Sequence, residues 1–422
     1  MNNLRKKRFP MTKLNAWKMI CGVFILCTAT AAFAQQERQY NFNGANGDFP
    51  RGGLLIDAAG NFYGITNGGG THNLGVVYEL SPAGNGKVTE TVLYGFTGAN
   101  GDGAYPIGDL VFDGAGNLYG VTTSGGVNEG GTVFELSPPT EQGSAWTETV
   151  LYRFQNSPDG ASPVAGVILD ASGNLYGTTQ FGGISVPGCE RSTCGVVYEL
   201  TPPSAPGASW TESVLYEFQG FPDGSQPMSR LVFDGAGNLY GTTYAGGALY
   251  GQGSIFQLAP PAMQGQSWTE TQIHSFGPPN GCLPEAGVVI GAKGALYGTA
   301  SACGTGNNGS VYVLTQPQIQ GGHWTFAVLH KFSGSDGMTP ATELTLMGVN
   351  ALFGTASGGG SMGWGTVFQL SRAGSGWSET TLYSFDSGRL PLGTLAVYNG
   401  AIYGTASEGG YNNHGVVYQI NP

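Results

Sequence analysis

Charge is scarce in this sequence: only 10% of its 422 residues are Asp, Glu, Lys or Arg. After the N-terminal segment it has no apolar run long enough to span a membrane. Helical periodicity is missing there as well, which argues against bundles and α/β sheets. There is no G-x-S-x-G elbow, Walker loop or H-E-x-x-H, so nucleophilic, P-loop and zincin chemistries find no support. The abundant G-G and G-x-G pairs are turn glycines, because no helix follows them to bind phosphate. Cations are few. Six of the 16 Lys+Arg (Arg5, Lys6, Lys7, Arg8, Lys13 and Lys18) lie in the first 34 residues, which hold no carboxylate. Without them 10 cations face 27 Asp+Glu, a net charge of −17. So acidic a chain repels phosphate backbones, and nucleic acid is not an expected partner.

Those six cations precede an apolar run from Met19 to about Ala34, which closes on Ala32-Phe33-Ala34 before Gln35. This is the pattern of a signal peptide over 1–34, and the run is short for a spanning helix. Phe24-Ile25-Leu26 lack the small residues expected before a lipoprotein cysteine at Cys27. The expectation is a mature chain of 35–422, secreted or periplasmic, with no membrane span after cleavage.

What the sequence has in excess is glycine, 74 residues in all. They follow no three-residue period, which argues against collagen, and an apolar motif recurs with them, which argues against disorder. "DGAGNLYG" stands at Asp113–Gly120 and again, unchanged, at Asp234–Gly241. Its core recurs as GNFYG, GNLYG, GNLYG, GNLYG, GALYG, NALFG and GAIYG, closing on Gly64, Gly120, Gly177, Gly241, Gly298, Gly354 and Gly404. Seven copies are spaced 50 to 64 residues apart.

Each copy reads as four short strands. In the second these are "IGDLVFD", "NLYGVTT", "TVFELSP" and "WTETVLYRF", separated by Gly-, Asn-, Asp- and Pro-rich turns. Apolar residues at adjacent positions mean that both faces of each sheet are covered. Stacked four-stranded sheets around an axis satisfy that, so the fold class is all-β: a seven-bladed β-propeller of four-stranded blades. The chain stops after the third strand of copy seven, and "ERQYNF" (Glu37–Phe42) matches the end of "TETVLYRF". The N-terminal strand is therefore expected to complete the last blade and pair its edge.

Tandem copies of "LYxFxGxxDGAxPxGxLVxDxAGNLYGTTxxGGxxxxGTVFELSP" resemble the GloVer (Gloeo/Verruco) repeat of bacterial choice-of-anchor tandem repeat proteins, over nearly all of the mature chain. The resemblance implies an exported bacterial protein and no established activity. Such proteins commonly carry a C-terminal sorting module; none is seen after the last strand here, so free secretion or periplasmic residence is the expectation.

Of six cysteines, Cys21 and Cys27 fall in the leader, leaving an even number in an exported chain. Cys189 and Cys194 share an insertion in copy three; Cys282 and Cys303 depart from the repeat in two loops of copy five that open on one face. Disulfides Cys189–Cys194 and Cys282–Cys303 are expected, since no His stands at ligand spacing for zinc.

Most repeated polar residues read as turn chemistry. Asp57, Asp113, Asp170 and Asp234 open D-x-x-G-N turns. Asn46, Asp102, Asp159, Asp223, Asn280, Asp336 and Ser387 stand in D/N/S-G-x-x-P loops. One carboxylate per loop is a thin ligand set, so no cofactor is expected beyond, at most, a structural calcium. Outer-strand Trp146, Trp210, Trp268, Trp324 and Trp377 read as packing residues, and Glu148, Glu212, Glu270 and Glu379 as edge charges that refuse further strands.

Function is sought where the copies disagree. Three positions after each loop proline stand Gly53, Asp109, Gly166, Arg230, Gly287, Glu343 and Thr394. Asp109, Arg230 and Glu343 form a candidate charged mouth to the central channel, joined by Arg51 and Glu285 two positions earlier. The second–third strand loops of blades six, seven and one carry Trp364, Tyr411, Asn412, Asn413, His414, His72 and Asn73, a mixture of ring faces, amides and imidazoles suited to a polar organic ligand. His72 and His414 alone are too few for a metal. Two classes follow. The leading one is a monomeric binding or scaffold module for a glycan, peptide or protein on the loop face. The other is an extracytoplasmic hydrolase or lyase acting on polysaccharide, with Asp109 and Glu343 as acid and base and Arg230 steadying an anion.

Overall fold

The computed structural model describes residues 36–422 except 85, 86, 142, 206, 264, 320, 321, 375 and 387. The leader expected at 1–34, and Ser387, lie outside the described residues. No α-helix occurs among the described residues, and none is long and apolar enough to cross a membrane.

Seven four-stranded antiparallel sheets follow one another along the chain. Blade 2 shows the plan: strands at Gly103–Phe112, Leu118–Gly125, Thr132–Ser137 and Thr147–Arg153, counted from the axis outward. Blade 7 is built from Ala396–Tyr398, Ala401–Ala406 and Val416–Ile420, with Gln36–Asn41 as its fourth strand. In that register Gln36 faces Ile420 and Asn41 faces Val416.

Because apolar residues occupy both faces, the core is divided among the blade interfaces. Blades 1 and 2 enclose Ile65, Val77, Phe96, Leu118 and Phe134; blades 7 and 1 enclose Phe42, Phe62, Tyr78 and Val417. The outer tryptophans seal these interfaces, as the sequence leads one to expect. Trp146 of blade 2 meets Tyr63 of blade 1 at a ring distance of 6.4 Å, and Trp268 of blade 4 meets Tyr176 of blade 3 at 6.5 Å.

The glycine that closes each motif answers to a side chain. A Cβ on Gly120 would lie 2.5 Å from Cζ of Phe134, and one on Gly177 2.6 Å from Cζ of Tyr198. The ring of the third strand lies flat across the second, and only glycine leaves it room. The third-strand residue alternates around the ring: Tyr78, Phe134, Tyr198, Phe256, Tyr312, Phe368, Tyr418. Register also slips between third and fourth strands; in blade 2 the slip falls between Val133 and Phe134, which turns Leu151 into the core.

The repeated aspartates act as turn residues. Oδ1 of Asp113 accepts the amides of Ala115 and Asn117, while Oδ2 accepts the Asn117 side chain and the Tyr119 hydroxyl. Burial opposes the ionisation of Asp113, but these donors, those of Asn117 first, hold its carboxyl below the usual range. In the D-G-x-x-P loops, Asp102, Asp159 and Asp223 are buried; each accepts the hydroxyl of an outer-strand tyrosine (Tyr94, Tyr152 or Tyr216) and a nearby backbone amide.

The outer-strand glutamates depart from expectation. Outward positions are taken by threonines such as Thr147 and Thr149, and the alternation turns Glu148 inward, half-buried against the neighbouring blade. Glu148, Glu212 and Glu270 each keep one carboxylate oxygen buried without a hydrogen-bond partner among the described residues. Burial, then the charge of Asp102, Asp159 or Asp223, pushes each carboxyl up to about 7. They are interblade groups rather than edge guards.

Both expected disulfides are present. Cys282–Cys303 ties the loop entering blade 5 to the loop between its second and third strands, beside the backbone pair of Cys282 with Ala302. Cys189–Cys194 closes the insertion of blade 3.

Candidate ligand-binding site at the channel mouth

The innermost strands begin at the loop prolines and converge on the axis. Three positions beyond each proline the blades nearly touch, which explains the glycines. A Cβ on Gly53 would stand 2.8 Å from Oδ1 of Asp109, and one on Gly287 3.4 Å from Oε2 of Glu343. Alternating bare and long positions let charged side chains lie across their neighbours.

Asp109, Arg230, Glu343, Arg51 and Glu285 line one cavity of about 390 Å³ at the proline end of the channel. A second, of about 180 Å³, continues between Leu55, Leu110 and Leu395; Asp109, Arg230 and Thr394 border both. These three residues mark the constriction.

Their partners define the electrostatics. Asp109 accepts the Gly53 amide at 2.6 Å, crossing from blade 2 to blade 1. A guanidinium nitrogen of Arg230 lies 3.9 Å from Oε1 of Glu343, and its Nε is buried with no partner among the described residues. Glu343, whose side chain keeps 17% of its exposure, is pushed up to about 7 by burial, against the pull of Arg230 and with the help of Asp109. Burial likewise raises the Glu285 carboxyl, which the Ser301 hydroxyl moderates. The mouth thus offers an incompletely used guanidinium, a carboxyl balanced between acid and base near neutrality, and short apolar walls from Ile107, Val164 and Met228.

The other sequence candidates fall into two groups. Asn73 and Asn413 serve their own loops, accepting the amides of Gly69 and Gly409. Nδ1 of His414 lies 3.2 Å from Oδ1 of Asp48 and braces the loop entering blade 1. Trp364 is half-buried, packed on the core between blades 6 and 7, and borders a notch of about 400 Å³ with Met338, Leu390 and Glu408. His72, Asn412 and Tyr411 are exposed, Tyr411 to 71%. Tyr411 does not line the Trp364 notch. Glu148 and its counterparts were missed as interior groups; a glutamate flanked on both sides by Thr or Ser on an outer strand is the signal that carries them.

Seven antiparallel blades around a charged channel define a β-propeller. The sequence matches the Gloeobacter/Verrucomicrobia repeat over residues 21–205, 147–320 and 264–422, and the chain belongs to that repeat family. No functionally curated protein matches it. Among solved structures it is similar to PorZ of Porphyromonas gingivalis, a bacterial surface component of the type-IX secretion system, with 12% identity over 90% of this chain and a TM-score of 0.52. This chain spans about half of PorZ, 47% of its length. It is also similar to a putative 6-phosphogluconolactonase of Bacteroides uniformis (12% identity, 81% of this chain, 90% of that one, TM-score 0.49) and to Trypanosoma rangeli sialidase (13%, 91%, 59%, TM-score 0.44). At such identities the likeness is one of fold.

Proposed function

We propose that this protein is an exported binding module that takes a polar organic ligand, a glycan or a peptide, at the loop-face end of its channel. The observation that carries this reading is Arg230. Its side chain borders an open cavity and is 32% exposed, and a guanidinium nitrogen meets Glu343 only at 3.9 Å. A guanidinium this loosely paired and open to the cavity can hold a ligand carboxylate or hydroxyl through charge-assisted hydrogen bonds. Residence outside the cytoplasm is supported by the two disulfides and the leader pattern.

The test is a glycan and peptide array on residues 35–422, followed by titration of the best ligand. Arg230→Gln is expected to weaken it by about tenfold or more, as loss of a charged hydrogen bond does. Unchanged binding in that variant places the ligand elsewhere. Tyr411→Ala tests the outer loops: folding stays as in wild type, and affinity falls by about 1 kcal/mol where the ligand reaches that far. Trp364→Ala is unsuitable as a surface probe, because this ring packs on the core.

A second reading, an extracytoplasmic hydrolase or lyase, is favoured by one observation: a carboxyl near 7 at Glu343 suits a general acid. Turnover of a polysaccharide, abolished in Glu343→Gln while binding persists, would establish it.

A further inference from the structure

On either side of blade 5 the Tyr–Asp–Glu arrangement changes its chemistry. Between blades 1 and 2 it consists of Tyr94, Asp102 and Glu148; the same three positions hold Tyr152, Asp159 and Glu212, then Tyr216, Asp223 and Glu270. Between blades 4 and 5 all three change together, to His274, Asn280 and Phe326, and the imidazole stacks on the ring at 4.1 Å. Between blades 5 and 6 only the tyrosine changes, leaving His330, Asp336 and Glu379.

We propose that His330, Asp336 and Glu379 form a zinc site on the outer rim, joining blade 5 to blade 6. Each offers one ligand atom, and the three atoms lie within 4.8 Å of one another in half-buried positions. Nε2 of His330 faces Oδ2 of Asp336 at 2.9 Å. The far oxygen, Oδ1, accepts the Ser333 amide and hydroxyl, which fixes the plane of the carboxylate. Glu379 is anchored in the same way, its Oε1 accepting the Thr381 hydroxyl. Each carboxylate thus has one oxygen held by the protein, the outer-shell pattern that orients metal ligands.

The donor set selects the ion. One imidazole and two carboxylates, with a fourth position left to water, suit Zn²⁺; calcium takes six or more oxygens and has no use for imidazole. Ligands about 2 Å from a tetrahedral ion stand about 3.4 Å apart, so His330 and Asp336, at 2.9 Å, must part slightly while the long Glu379 side chain closes in. On binding, the ion replaces the hydrogen bond between His330 and Asp336, the imidazole giving the ion its lone pair at Nε2. A tyrosine there cannot do this: the phenols of Tyr94, Tyr152 and Tyr216 are driven far above neutrality, chiefly by burial, and keep their protons.

The experiment is equilibrium dialysis of the metal-stripped full chain against ZnCl₂ alone, with thermal melts in parallel. One zinc per chain and a higher melting temperature are expected. His330→Tyr restores the residue of blades 1 to 3, so it is compatible with the fold, and it should weaken zinc by about tenfold or more and abolish the thermal shift. Glu379→Gln is the second variant and should also weaken it. His323→Ala, at an exposed histidine, should bind as wild type. The proposal falls if His330→Tyr and Glu379→Gln retain zinc, if His323→Ala loses it, or if Ca²⁺ at equal concentration displaces it.

Discussion

Glu148 and Asp102 are carboxylates close enough that the charge of one disfavours ionisation of the other, in an interface where Oε1 of Glu148 has no hydrogen-bond partner among the described residues. Glu212 with Asp159 and Glu270 with Asp223 repeat the arrangement. Each glutamate is protonated more readily folded, near 7, than unfolded, near 4.5. Its contribution to stability is complete below the unfolded value and lost as pH rises through 7. The melting temperature should therefore rise between about pH 8 and about pH 5.5. The triple variant Glu148→Gln, Glu212→Gln, Glu270→Gln should flatten that rise. His274 opposes it: burial lowers its imidazole to about 4, so its contribution is present above 6.5 and lost as pH falls through 4. An unchanged slope in the triple variant would refute the interblade origin.

The hydroxyls of Tyr78, Tyr198, Tyr312 and Tyr418 are buried without partners among the described residues. Removing such a group and leaving the ring should be nearly neutral or stabilising. Tyr198→Phe is expected to change stability by less than about 1 kcal/mol in chemical denaturation. Gly177→Ala, which drives a methyl group into the same ring, should cost about 1–3 kcal/mol, and part of that should return in the double variant.

The disulfides should differ in weight. Cys282–Cys303 spans 21 residues and Cys189–Cys194 only 5. Loop-closure entropy assigns them about 3 and about 2 kcal/mol respectively. Paired Cys→Ala variants should melt in that order, and peptide mapping without reduction should recover both links. Free thiols or crossed pairs would contradict the structure.

Removing residues 35–43 takes away the fourth strand of blade 7 and leaves Val416–Ile420 as an open edge. Lower stability, or association through that edge, is the expected outcome by calorimetry and light scattering. A truncated monomer with the wild-type melting temperature would show that closure contributes nothing.

The blades were legible in the sequence because each is written out seven times, and repetition exposes the Asn-Leu-Tyr-Gly strand and its Asp turn. Charged positions at the channel were legible as departures from glycine at one register. The inward glutamates were not, because a glutamate on an outer strand has the same spelling whether it faces solvent or the next blade; the phase of alternation, set by the bulge near Phe134, decides. The His330 cluster was hidden for another reason: its ligands come from two copies of the repeat, 49 residues apart at the extremes.

The rings that lie across the motif glycines alternate tyrosine and phenylalanine from blade to blade. An even ring could carry that rhythm without a break; a ring of seven cannot. The phase slip falls between Tyr418 and Tyr78, where the first and last blades adjoin. Two blades, rather than one, are then the unit of pattern in this molecule, and its parity defect falls at the interface of its first and seventh blades.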